Sequence, residues 1–212
     1  MTAKIFTVAQ QKGGAGKTTM AAHLAVAYTA AGKSVAAIDI DPQESLSQWY
    51  RLREARFGDA GAGLLVSALK GWRLKNEVER LAREHDVVIV DSPPHAETEA
   101  RIAVRGADLV IVPVQPTPMD VWATRATLEL AAAEKVPVLV VLNRVPPRAN
   151  LTEEMIGDLR AIHGGVAETR LGNRVLYAAA LAQGRAVGEV QPKSPAAAEI
   201  GALAEEIWRR AR

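Results

Sequence analysis

The 212-residue sequence predicts an α/β fold, a single doubly wound, mostly parallel sheet with helices on both faces. Three observations predict it. Five short β-branched runs, KIFTVA, SVAAIDI, DVVIVDS, ADLVIVPV and VPVLVVLN, alternate with alanine-rich stretches of helix length, as strands covered on both faces by crossover helices do. The polar and glycine-rich segments fall directly after those runs, where the carboxyl ends of parallel strands open a ligand crevice. With 49% of its residues apolar, a chain of this length buries one sizeable core more naturally than two, so one domain over 1–212 is expected.

The elements follow in order. KIFTVA leads into QQKGGAGKTT at 10–19, and a helix from about Thr18 to Ala31 stops at Gly32, where a left-handed cap is expected. SVAAIDI runs into DPQES, whose helix carries Trp49, read as a packing residue, and the glycine cluster GDAGAG at 58–63 reads as a surface connection. DVVIVDS ends in SPP; ADLVIVPV ends in QPTPMD, with Thr117 as a helix cap before Pro118 in the first turn. VPVLVVLN ends in NRVPPR. In the closing AAAEIGALAEEIWRRAR, Ile200, Leu203 and Ile207 share one helical face, which reads as a stripe docked on the sheet; Glu199, Glu205 and Glu206 dilute the basic face that a lipid-binding helix needs. His23 reads as a plain helix-face residue.

Composition narrows the chemistry. The absence of cysteine removes disulfides, thiolate metal sites, iron–sulfur ligation and cysteine nucleophiles, and fits a reducing, cytoplasmic setting. No apolar run approaches the ~20 residues of a spanning helix. A formal charge of +2 permits a nucleic-acid surface without demanding one.

The segment after the first strand has the composition of a phosphate cradle. Gly13, Gly14, Ala15 and Gly16 free backbone N–H groups at the start of a helix, Lys17 supplies positive charge to β- and γ-phosphates, and the Thr18 hydroxyl is placed for magnesium. Asp91 closes an apolar strand, the pattern of an acidic group that holds magnesium. Asp39 and Asp41 share one side of a strand end, where two like charges need a cation or a proton between them.

Together KGGAGKTT at 12–19, DIDPQESLSQW at 39–49 and VIVDSPP at 88–94 resemble the deviant Walker A P-loop ATPases of the ParA/MinD family. The likeness continues through PVQPTPMD, LNR at 142–144 and the stretch from RLGNRVLYAAALAQG to QPKSPAAAEI, and is greatest to the short ParA type, which has no N-terminal DNA-reading extension. The resemblance implies an ATP- and Mg2+-dependent homodimer that hydrolyses ATP slowly until a partner stimulates it. It implies that Lys12 reaches across the dimer to the other subunit's phosphates, that Asp41 positions the attacking water, and that Thr18, Asp39 and Asp91 serve the metal. It places Thr19 at the phosphates and Asn143, Arg144 and Pro192 around the adenine.

It further implies sequence-independent DNA binding, with Arg174, Lys193 and Arg170 as the matching basic positions, nucleoid association when ATP is bound, and a ParB-like or cargo-adaptor protein as activator. The function so implied is partition or positioning of DNA or a protein cargo. The alternative is a MinD-like membrane-associated or regulatory ATP switch, which the diluted basic face of the last helix speaks against. A metabolic relative is a third reading: the missing cysteines speak against a nitrogenase-type reductase with a bridging iron–sulfur cluster, and nothing after VIVDSPP suggests the small-molecule pocket of an amide-forming synthetase.

Overall fold

The computed structural model describes residues 3–58, 63–94, 97–147, 150–162 and 165–211. Six strands form one parallel sheet: β1 (Lys4–Val8), β2 (Val35–Asp39), β3 (Leu65–Ala68), β4 (Val87–Asp91), β5 (Leu109–Val114) and β6 (Val138–Leu142), in the order β3-β2-β4-β1-β5-β6. All five expected strands are present. The sixth, β3, is a four-residue edge strand with half-exposed side chains, so it lacks the continuous apolar run that marks a buried parallel strand. Most of the glycine cluster before it lies outside the described residues.

Helices α1 (Lys17–Ala30), α2 (Ser45–Phe57), α7 (Val175–Leu181), α8 (Val187–Val190) and α9 (Pro195–Arg210) pack on one face around Phe6, Val8, Ile89 and Ile111. Helices α3 (Leu74–Leu81), α4 (Glu97–Arg105), α5 (Pro118–Ala133) and α6 (Asn150–Ile162) complete the structure, with α3 to α6 covering the other face around Ile38, Val90, Val112 and Val140. Alternate strand residues thus feed opposite cores, as the period of two requires.

The punctuation read from sequence holds. Gly32 adopts φ +79° after α1, and Thr117 caps α5 with its side chain accepting from the Asp120 N–H, followed by Pro118. The helix α1 starts at Lys17, one residue earlier than expected. Its alanines let it lie centrally, buried along nearly its whole length.

The apolar stripe of α9 is spent on the core: Ile200, Leu203 and Ile207 are all buried, which contributes on the order of 5 kcal/mol. The helix is then pinned from the opposite end of the chain. Lys4 Nζ donates to the carbonyls of Trp208 and Ala211, and lies 4.4 Å from the Trp208 ring centroid. Two carboxylates read as diluting a basic face have structural duties instead: buried Glu206 accepts the N–H groups of Glu168 and Thr169, and Glu199 accepts from the Gly172 N–H, the Tyr177 hydroxyl and the Arg174 Nε–H.

His23 corrects the reading of a plain helix-face residue. It is 1% exposed; one ring nitrogen is bonded to the Tyr177 carbonyl at 3.3 Å and the other accepts from the Val187 N–H at 3.3 Å. Burial pushes its pKa down to about 4, so it is neutral in the fold.

Candidate nucleotide-binding site

The sheet register sets the site. Asp39 lies opposite Asp91, and Asp91 opposite Val8, so the carboxyl ends of β2, β4 and β1 stand side by side. The loop after β1 crosses them with Gly14 at φ +76° and Gly16 at φ +96°, a backbone that side chains rarely tolerate. A Cβ on Gly16 would lie 2.4 Å from Asn143 Nδ2, and that amide is held in place by donating to the Ala15 carbonyl at 2.8 Å. Gln115 adds a bond to the Gly14 carbonyl at 3.3 Å, so the ends of β5 and β6 both brace the loop. The first turn of α1 has neither a side-chain cap nor an acidic residue. Its free N–H groups and the positive end of the helix dipole are therefore available to an anion.

Charge is concentrated behind this cradle. Lys17 is buried, and desolvation lowers its pKa, with Asp91 and Asp41 acting in the opposite direction. Asp91 is fully buried and, among the described residues, neither carboxylate oxygen has a hydrogen-bond partner. Desolvation raises its pKa to about 7; the nearby Thr18 hydroxyl and Lys17 moderate the rise, and Asp39 and Asp41 add to it. A buried carboxylate short of donors costs folding free energy, and a divalent cation removes that cost.

Asp39 differs from Asp91. Its Oδ1 accepts from the Asp41 N–H at 3.1 Å and its Oδ2 from the Ser47 N–H and Oγ at 3.0 and 2.9 Å, so it knits the turn into α2; burial still raises its pKa. Asp41 is half-buried and accepts the Gln43 N–H at 2.9 Å, beside a groove of about 860 Å3 that Glu44, Lys70, Trp72 and Glu99 also line.

Lys12 is not free. Its ammonium donates to Asp120 Oδ2 at 2.6 Å, and Asp120 was not recognisable in the sequence because it is 108 residues away on the first turn of α5. Beside it, Met119 and Trp122 are 64% and 65% exposed. Thr18 and Thr19 occupy the first turn of α1. Arg144 is exposed at φ +52°, next to the loop-bracing Asn143. Pro192 lines a different recess of about 260 Å3 with His23, Val187 and Ile200. Among the basic positions, Arg170 pairs with Glu153 at 2.6 Å and Arg174 Nε with Glu199 at 3.0 Å. Lys193 is exposed, with no carboxylate at ion-pair distance among the described residues.

These residues fit a magnesium–nucleotide complex: the cradle has room only for backbone at Gly16, Gly14 takes a positive φ, and both Asp91 oxygens lack a hydrogen-bond partner among the described residues. Residues 6–187 match the family model described as the CobQ/CobB/MinD/ParA nucleotide binding domain. The chain belongs to this family. It is 30% identical to the maintenance of carboxysome distribution protein A of Halothiobacillus neapolitanus over 96% of this chain and 97% of that protein. It is likewise 30% identical to the chromosome-partitioning ATPase Soj of Thermus thermophilus, over 96% and 94% of the two chains. Its fold is similar to a solved ATP complex of McdA from Cyanothece, with a TM-score of 0.82 at 19% identity, covering 97% and 96% of the chains.

Proposed function

We propose that the chain is an ATP-hydrolysing switch whose ATP-bound form pairs with a second copy and positions or partitions DNA or a protein cargo. The observation that carries this is the second lysine of the loop: Lys12 is engaged on α5 and not by the carboxylates around Lys17, beside exposed Met119 and Trp122. Placed at that rim, its side chain suits the phosphates of an opposing subunit.

Bound magnesium–ATP would supply a scissile γ-phosphate with its charge partly neutralised. Lys17 and the loop N–H groups hold the phosphates, with Thr18 and Asp91 placed for the metal and Asp39 fixing the turn that carries Asp41. Asp41, at the open groove, orients the attacking water, and Lys12 of a second copy adds positive charge where negative charge develops. Asn143 and Arg144 lie at the loop's far side, where the base would rest; Pro192 belongs to a different recess and closes over the base only if the α8–α9 connection moves.

The relatives' names support a positioning or partition role, the carboxysome-distribution relative pointing to a protein cargo and the chromosome-partitioning relative to DNA. Sequence-independent DNA binding through Lys193, Arg174 and Arg170 would place the ATP form on the nucleoid, and a ParB-like or cargo adaptor would trigger hydrolysis. The burial of the α9 stripe supports DNA over a lipid surface as the platform.

Light scattering with magnesium and ATP or ADP tests the reading. The chain dimerises with ATP only, Lys12→Ala binds nucleotide but stays monomeric, and Asp41→Ala accumulates as a dimer that does not turn over. A Lys12→Ala protein that dimerises and hydrolyses normally would refute the cross-subunit role.

A further inference from the structure

The Lys12–Asp120 contact poses a problem for any role of Lys12 outside its own subunit. Lys12 Nζ lies 2.6 Å from Asp120 Oδ2, and its side chain is 36% exposed while that of Asp120 is 4% exposed. The same carboxylate accepts from the Thr117 hydroxyl, and its second oxygen, Oδ1, is buried with no partner among the described residues. Lys12 is therefore the cation on which a buried carboxylate depends. We propose that Asp120 is a positioning residue that parks Lys12 in the single chain and thereby sets the threshold for ATP-dependent pairing; this rests on the cross-subunit reading of Lys12 above.

Three features support a parking role over a merely structural ion pair. First, the backbone beneath Lys12 is already anchored without it. Gln10 Nε2 donates to Thr124 Oγ1 at 3.1 Å, Thr127 Oγ1 donates to Gln10 Oε1 at 3.2 Å, and the Gln11 N–H donates to Thr127 Oγ1 at 3.3 Å. Only the lysine side chain has to leave, and the loop entrance keeps its place on α5.

Second, departure has a cost that a surface ion pair would not impose. Exposed pairs exchange freely with water, whereas Asp120, left charged, buried and short of donors, is strongly unfavourable. The attraction drawing Lys12 away must exceed that cost. A triphosphate in the opposing subunit carries one more phosphate charge than a diphosphate, so the pair sharpens discrimination between the two. Third, the pair adjoins the exposed side chains of Met119 and Trp122, so release of Lys12 and covering of this rim occur at one place.

The test uses Asp120→Asn, which keeps the size of the side chain and an oxygen for the Thr117 hydroxyl but removes the charge that holds Lys12. Dimerisation midpoints in protein concentration are measured by light scattering, with magnesium–ATP and with magnesium–ADP, for the natural chain, Asp120→Asn, Lys12→Ala and the double variant. The expected result is a midpoint about tenfold or more lower for Asp120→Asn in ATP. A dimer also becomes detectable in ADP, and the double variant behaves as Lys12→Ala alone.

A folded Asp120→Asn with an unchanged midpoint, while the natural chain dimerises and Lys12→Ala does not, overturns the parking role and leaves the dimer reading intact. A natural chain that never dimerises with ATP overturns both. If Asp120→Asn fails to fold, acetylation of the nucleotide-free natural chain with an amine-reactive ester, followed by peptide mass spectrometry, decides the matter. Lys12 reacts several-fold more slowly than exposed Lys193 if it is parked, and equal rates overturn the inference.

Discussion

With both oxygens of Asp91 buried and unpartnered among the described residues, the nucleotide-free chain is penalised for a charge that the proposed function uses only when a metal is bound. The folded pKa of about 7 lies above the ordinary 3.8, so the stability associated with this group is fully present below about pH 4 and is lost as pH rises through 7. Asp91→Asn removes the penalty. It is expected to raise the melting temperature of the nucleotide-free chain at pH 8 by roughly 5–10 °C, from at most about 4 kcal/mol, while abolishing the further rise that magnesium–ATP gives the natural chain. Equal melting temperatures at pH 8 would contradict this. Lys17, Thr18 and Asp91 were legible in the sequence because each is fixed by local order, a strand followed by a glycine turn or an acidic stop. Asp120 and His23 were not, because their partners lie 108 residues away for one and 154 and 164 for the other.

At the scale of elements, His23 joins three helices that share no neighbouring sequence. It sits on α1, directly behind the phosphate loop, and its two ring nitrogens reach the carbonyl of Tyr177 on α7 and the N–H of Val187 on α8. Its folded pKa of about 4 lies below the ordinary 6.5, so this contribution is complete above pH 6.5 and is lost as pH falls toward 4. Comparison of chemical denaturation for the natural chain and His23→Gln between pH 7 and pH 4.5 is expected to show the natural chain losing roughly 2–3 kcal/mol more. Parallel curves would remove His23 from that role. The same scale explains what the sequence concealed. Five strands declared themselves as continuous apolar runs, while β3, at the sheet edge with half-exposed side chains, did not. Thr117 and Gly32 marked helix ends because capping is chemistry within a few residues.

For the whole molecule, a net charge of +2 leaves little long-range attraction for DNA, so any affinity depends on which basic groups are free. Arg170 is neutralised by Glu153, and Arg174 by Glu199. The sequence displayed these arginines but not their partners, which come from different helices. In random-duplex mobility shifts with ATP, Glu153→Gln is expected to tighten binding several-fold and steepen the salt dependence by about one unit, and Lys193→Ala to weaken it. Unchanged binding in both variants would move the DNA surface elsewhere. The four tryptophans are distributed to similar purpose: Trp49 is buried beside the Asp41 turn, Trp208 packs under Lys4 and Lys33, and Trp72 and Trp122 stand open at the groove and at the Lys12 rim. The molecule thus carries its own fluorophores. With Trp72 replaced by phenylalanine, Trp122 becomes the solvent-facing indole, and its emission colour offers a label-free optical gauge of whether the rim beside Lys12 is open or covered.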